Sequence, residues 1–148
     1  MNKTNPIGFF DSGIGGLTVV RSVTRLMPNE NIVYFGDTAR VPYGSKSNDT
    51  VVEYSLQAAN FLLRKNIKLL VVACNTASSV ALKELRKFLT IPVIGMIEPC
   101  AKMALQESRN GVIGVIGTRA TINNKAYAHE LKKLNPKIKV YEKACPLF

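Results

Sequence analysis

Residues 7–18 read Ile7-Gly8-Phe9-Phe10-Asp11-Ser12-Gly13-Ile14-Gly15-Gly16-Leu17-Thr18. An apolar run, Ile7 to Phe10, halts at a carboxylate and a hydroxyl. A glycine-rich turn then leads into Val19, Val20, Val23, Leu26 and Met27, which recur at helical spacing. That is a strand, a tight turn and a helix. The same unit repeats outward from it. Apolar runs at Ile32 to Phe35, Ile67 to Ala73, Ile91 to Ile94, Val112 to Ile116 and Ile138 to Tyr141 read as five more strands. They lack polar alternation, so each is expected to be covered on both faces in a parallel sheet. Two further helical patterns lie between them: Val51, Val52, Ser55, Ala58, Ala59, Leu62 and Leu63, then one continuing from Asn75 through Leu89 with Val80, Leu82 and Leu85 on its apolar side. The alternation predicts an α/β fold, a doubly wound, mainly parallel sheet with helices on both faces. Its ligand crevice would lie outside the carboxyl ends of the strands.

The chain has 148 residues, 47% apolar and 20% charged, which excludes a disordered, collagen-like or coiled-coil polypeptide. No apolar stretch approaches the roughly 20 residues of a membrane helix. The run behind Lys3 is too short for a signal-peptide core, so a cytoplasmic protein without a membrane partner is expected. Cys74, Cys100 and Cys145 are widely spaced and accompanied by a single His129, suggesting neither a disulfide framework nor a zinc site. Cys100 and Cys145 are expected to be packed, and His129 to be solvated on its helix, away from the stripe of Tyr127, Leu131 and Leu134. Net charge is +10. From Lys102 onward nine basic residues face three acidic ones, but without interleaved aromatics for base stacking, so a solvated face is expected and not a nucleic-acid site. A junction near Gly95 to Pro99 divides the chain into residues 1–97, a first α/β domain, and 98–148, the start of a similar second one.

Small polar groups collect at the strand ends: Asp11 and Ser12; Gly36, Asp37 and Thr38; Cys74, Asn75 and Thr76; Thr118 and Thr121. Together they would rim a crevice suited to a small polar ligand with charges of both signs. Gly13-Ile14-Gly15 with Asp37 downstream imitates a dinucleotide fingerprint. However, Thr18 replaces the third glycine and Asp11 would oppose a pyrophosphate. A tight turn accounts for the glycines but leaves Asp11 and Ser12 unexplained. Cys74 closes a strand before a cap-rich helix start, whose field would depress the thiol pKa and favour a thiolate base or nucleophile. A small buried hydrophobe is the alternative.

Four segments carry a resemblance: Phe10 to Leu17, Gly36-Asp37-Thr38-Ala39-Arg40-Val41-Pro42-Tyr43-Gly44, Ala73 to Ser78, and Gly117 to Thr121. In them the whole chain resembles the cofactor-independent aspartate/glutamate racemases, with Ser78 more like the glutamate-specific members. The resemblance implies interconversion of L- and D-glutamate by two-base proton transfer at Cα, an isomerase without metal or cofactor. Its D-glutamate would supply peptidoglycan and so cell-wall biogenesis and cell shape. It implies that Cys74 is one catalytic thiol, with Asp11 beside it in a catalytic role. Asp11, Ser12, Pro42, Tyr43, Gly44, Asn75 and Thr76 would contact substrate, supported by Thr118 and Thr121. A homodimer is among the assemblies it allows. The family's second cysteine lies in a Gly-Cys-Thr-His motif absent here, and neither Cys100 nor Cys145 is followed by Thr-His. With its apolar end Pro146-Leu147-Phe148, the chain is therefore expected to be the first half of a racemase, inactive alone. The alternatives are an isomerase of the same superfamily acting on another small acid, or a nucleotide-binding α/β module.

Overall fold

A computed structural model describes residues 4–146; Lys3, Leu147 and Phe148 lie outside the described residues. The strands are β1 (Ile7–Asp11), β2 (Ile32–Gly36), β3 (Leu69–Val72), β4 (Val93–Gly95), β5 (Val112–Gly117) and β6 (Lys139–Ala144). The helices are α1 (Leu17–Leu26), α2 (Asn48–Leu63), α3 (Asn75–Val80), α4 (Leu82–Phe88), α5 (Ile97–Glu107), α6 (Arg119–Asn123) and α7 (Ala126–Leu134), with a 3-10 turn at Tyr43–Ser45. All pairings are parallel. One sheet runs β2-β1-β3-β4, with Phe10 beside both Phe35 and Val72, and the other pairs β5 with β6.

The main core lies between the first sheet and α2 to α4. Phe10, Leu70 and Val72 from the strands meet Val51, Ala58, Ala59 and Leu62 of α2 and Leu85 of α4. The opposite face is covered more thinly. Val19, Val20 and Val23 of α1 pack on Ile7, Phe9 and Val71, but no residue of α1 is fully buried and Leu26 is 82% exposed. Leu26 and Met27 of the expected stripe therefore do not face the core. A third cluster joins Ala101 of α5, Leu131 of α7 and Ile138, packed by Ile113, Val115 and Val140 of the second sheet.

Two expectations are corrected. The helix expected from Asn75 through Leu89 breaks at Ala81 (φ −103°) into α3 and α4. Its Ser-Ser-Val stretch is a poor helix interior. The Ser79 hydroxyl bonds back to the Thr76 carbonyl, and Ser78 is tied to the sheet through the Val72 carbonyl at 2.8 Å and the Met96 amide at 3.0 Å. Nor are all strands covered on both faces. Exposure alternates along β5 and β6, leaving Val112, Ile116 and Tyr141 outward. Coverage on both faces holds for β1, where every residue is buried.

Candidate functional site

β1 leads to β2 on one side and β3 to β4 on the other, so the strand order reverses between β1 and β3. The loops leaving those strands part there and open a crevice. Asp11 and Ser12 leave β1 into it, and Cys74, Asn75 and Thr76 leave β3. The crevice is a cavity of about 960 Å³, lined by the ten residues to which the resemblance assigns catalysis or substrate contact, Asp11, Ser12, Pro42, Tyr43, Gly44, Cys74, Asn75, Thr76, Thr118 and Thr121, but not by Gly36, Asp37 or Thr38, which were also expected at its rim. Ile113 and Val115 of β5, with Cys100 and Tyr127, supply the wall from the second sheet and its helices.

Asp11 is nearly buried, and its Oδ2 accepts the amide hydrogens of Gly16 at 2.9 Å and Gly13 at 3.3 Å. The carboxylate therefore satisfies the turn and the start of α1, which explains half of what a tight turn alone leaves open. A Cβ at Gly16 would stand 2.8 Å from Asp11 Cβ and 2.9 Å from Ala73 Cβ, so this glycine lets helix and strand approach. The Tyr34 hydroxyl donates to the Gly13 carbonyl at 2.8 Å and stands 3.3 Å from Asp11 Oδ2. Burial, then the Asp11 carboxylate, pushes the phenol up to about 12, so it stays a donor. With the Gly16 amide directed at Asp11, the turn is not built to hold a pyrophosphate.

Cys74 is the N-cap of α3, its Sγ accepting the Ala77 N–H at 3.4 Å and lying 3.2 Å from Ser12 Oγ. The expected depression of its pKa is overturned. Burial pushes the thiol above its ordinary 9.0, and the Asp11 charge adds to the rise. The Ser12 hydroxyl and the Ala77 amide oppose it, but one long amide bond does not offset removal from water.

The loop 42–44, entered through a cis Val41-Pro42 bond, is gripped from both sides. Beneath it, Tyr43 is fully buried and donates to Asp37 Oδ2 at 2.5 Å, an interaction that, after burial, raises its phenol pKa. Asp37 also meets Arg40 Nε at 2.7 Å, and the Arg40 guanidinium lies 4.1 Å over the Tyr54 ring. Asp37 therefore works under the loop and does not rim the crevice as expected. Above it, a methyl group at Gly44 would overlap Thr118. Thr118 caps α6 and forms a node with Thr76 at 3.0 Å and Thr121 at 3.0 Å, tying α3 to α6.

Cys100 is exposed on the cavity wall, contrary to the packed position expected, and Cys145 is half-buried. His129 is exposed, as its helix position predicts. Among the described residues no group of His, Cys, Asp and Glu could hold a metal ion. Tyr34, Asp37 as a support, Cys100 and Tyr127 escape the sequence reading. Tyr34 sits in an apolar strand run and Tyr127 in an apolar helical stripe, where only a hydroxyl needing a partner hints at more than packing.

Comparison with known proteins places this geometry. The family model described as Asp/Glu/Hydantoin racemase matches residues 15–146. A glutamate racemase from Geobacter metallireducens is 56% identical over 96% of this chain and 53% of its own length. One from Staphylococcus haemolyticus is 49% identical over 100% of this chain and 55% of its own. The chain thus spans about half the length of the curated relatives it matches. Among solved structures, glutamate racemase isoform RacE1 from Bacillus anthracis superposes with a TM-score of 0.95 at 44% identity, over 98% of this chain and 55% of that one. The glutamate racemase of Francisella tularensis, solved in complex with D-glutamate, gives 0.90 at 44% identity over 98% and 54%. With a family match across nearly its whole length and a site assembled from the segments that carry the resemblance, the chain belongs to the Asp/Glu/Hydantoin racemase family.

Proposed function

We propose that the chain carries one proton-transfer face of a glutamate racemase, with Cys74 as the base and acid on that face. The observation that carries the reading is Cys74 Sγ at the reversal of strand order, 3.2 Å from Ser12 Oγ in a cavity shared with Asp11, Asn75 and Thr76. Abstraction breaks the Cα–H bond: the thiolate sulfur takes the proton and the electron pair stays on carbon as a carbanion beside the substrate carboxylate. Return from the opposite face, by a second thiol, gives the other enantiomer, and two opposed bases make the reaction reversible without a cofactor. So weak a carbon acid needs fixed donors at the developing charge, and the Asn75 amide and the Thr76, Thr118 and Thr121 hydroxyls, which line the same cavity, would supply them. Because burial raises Cys74, its thiolate forms best once a substrate ammonium brings positive charge beside it. The product would feed peptidoglycan synthesis. The same reading takes residues 1–97 and 98–148 as two α/β units, with the seam at the start of α5, in keeping with the separate sheets.

The test is incubation of the chain with each glutamate enantiomer in heavy water. Cys74-dependent deuterium uptake at Cα of one enantiomer, without inversion, is the expected result, since the chain lacks the family's second thiol motif. Thermal stabilisation by NAD or ATP but by neither enantiomer would instead favour a nucleotide-binding module.

A further inference from the structure

Asn75, at the first turn of α3, lines the cavity, and its side chain makes one hydrogen bond among the described residues, which leads across to α7: Tyr127 Oη lies 2.6 Å from Asn75 Oδ1. In this bond Tyr127 Oη donates and the Asn75 carbonyl oxygen accepts. O–H···O bonds centre near 2.7 to 2.8 Å and N–H···O bonds near 2.9 to 3.0 Å, so so short a contact fits the phenol donating to the amide carbonyl and not the amide nitrogen donating to the phenol. Tyr127 keeps its proton: burial, then the negative charge Cys100 carries when ionised and a hydrogen bond with that side chain, push its pKa up. With Oδ1 engaged, the amide is left to present its two Nδ2 hydrogens, which have no protein partner among the described residues.

We propose that Tyr127 is the positioning residue that sets the rotamer of Asn75, so that the cavity meets a substrate carboxylate with an N–H donor and not with a carbonyl oxygen. The inference rests on the glutamate reading for its ligand, but the bond itself does not. An Asn amide released from Tyr127 turns its two ends into the site about equally, and the carbonyl end repels a carboxylate. Because Tyr127 stands on α7 and Asn75 on α3, the rotamer is also set only when the two units are docked.

The experiment is a double-mutant cycle on the full 148-residue chain, read by calorimetric titration with L- and D-glutamate. Tyr127→Phe removes one hydroxyl and is expected to weaken binding about fivefold with an unchanged melting temperature. Asn75→Ala weakens binding as well, and adding Tyr127→Phe to it is expected to cost nothing more, because the phenol acts through Asn75. Additive losses, or no loss in Tyr127→Phe, would overturn the proposal. If the parent chain binds neither enantiomer, the glutamate reading fails and the bond is judged without ligand. In nitrogen-15 spectra the Asn75 side-chain amide resonances should move in Tyr127→Phe while backbone amides outside α3 and α7 stay in place, and unmoved resonances would refute it. Should Tyr127→Phe not fold, the same bond is read from its other end: Asn75→Ala, an exposed change, must shift the Tyr127 ring carbons, and unshifted carbons would refute it.

Discussion

Cys74 stands under two opposing influences of unequal size. Ser12 and the first turn of α3 stabilise a thiolate, while burial and the Asp11 carboxylate oppose it and win. Since the folded thiol is raised above 9.0, its contribution to stability is complete below that value. As pH rises past it, the unfolded chain releases this proton first and stability falls until the folded thiol also ionises. The expected outcome is that the melting temperature of the parent chain falls more steeply between about pH 8 and 10 than that of Cys74→Ala. Parallel curves would mean that burial does not govern this thiol. The same burial predicts that exposed Cys100 is alkylated before Cys74 near neutral pH, which peptide mapping after a short iodoacetamide pulse decides.

At the scale of elements, the site depends on how α3 meets α6. Thr76 and Thr121 are buried and Thr118 is part-buried, and their hydroxyls bond to one another, so removing that of Thr121 takes from Thr118 a partner at 3.0 Å while the Thr76–Thr118 bond remains. Thr121→Val is expected to lower unfolding free energy by about 0.5 to 1.5 kcal/mol. Thr24→Val, on the exposed side of α1, where the hydroxyl only bonds back to Val20, should stay within about 0.5 kcal/mol. Urea titration of both variants checks it, and equal losses would remove the node from the account. A drop of the larger size would also loosen Thr118 against Gly44, linking the stability of this helix junction to the shape of the loop 42–44.

Across the whole molecule, apolar surface is unevenly covered. Ile116 and Tyr141 are 63% and 68% exposed on the outer face of β5 and β6, and these two strands form a sheet of their own. A two-stranded sheet with an open apolar face and unpaired edges is weakly stable alone and invites another strand or another copy. The 148-residue chain is therefore expected to self-associate, with sedimentation coefficients rising with concentration, and Ile116→Lys with Tyr141→Lys should suppress the rise. A parent chain that sediments as a monomer at every concentration would show that this face needs no cover.

The strand-turn-helix rhythm, the parallel pairing and the group of residues at the strand ends were all legible in the chain. They follow from local facts: β-branched runs of strand length, glycines at turns, helical spacing of apolar residues, and the rule that parallel strands place their carboxyl ends together. Asp11, Ser12, Cys74, Asn75 and Thr76 fall at those ends by position alone. What spacing did not reveal was set by neighbours distant along the chain. Burial reversed the expected direction of the Cys74 pKa, and the ties of Ser78 and Ser79 broke one expected helix into two. Asp37 turned beneath its loop to hold Tyr43, and Tyr127 left an apolar stripe to reach Asn75, 52 residues away. Desolvation and hydrogen-bond partnership depend on which surfaces meet, and only the folded chain decides that.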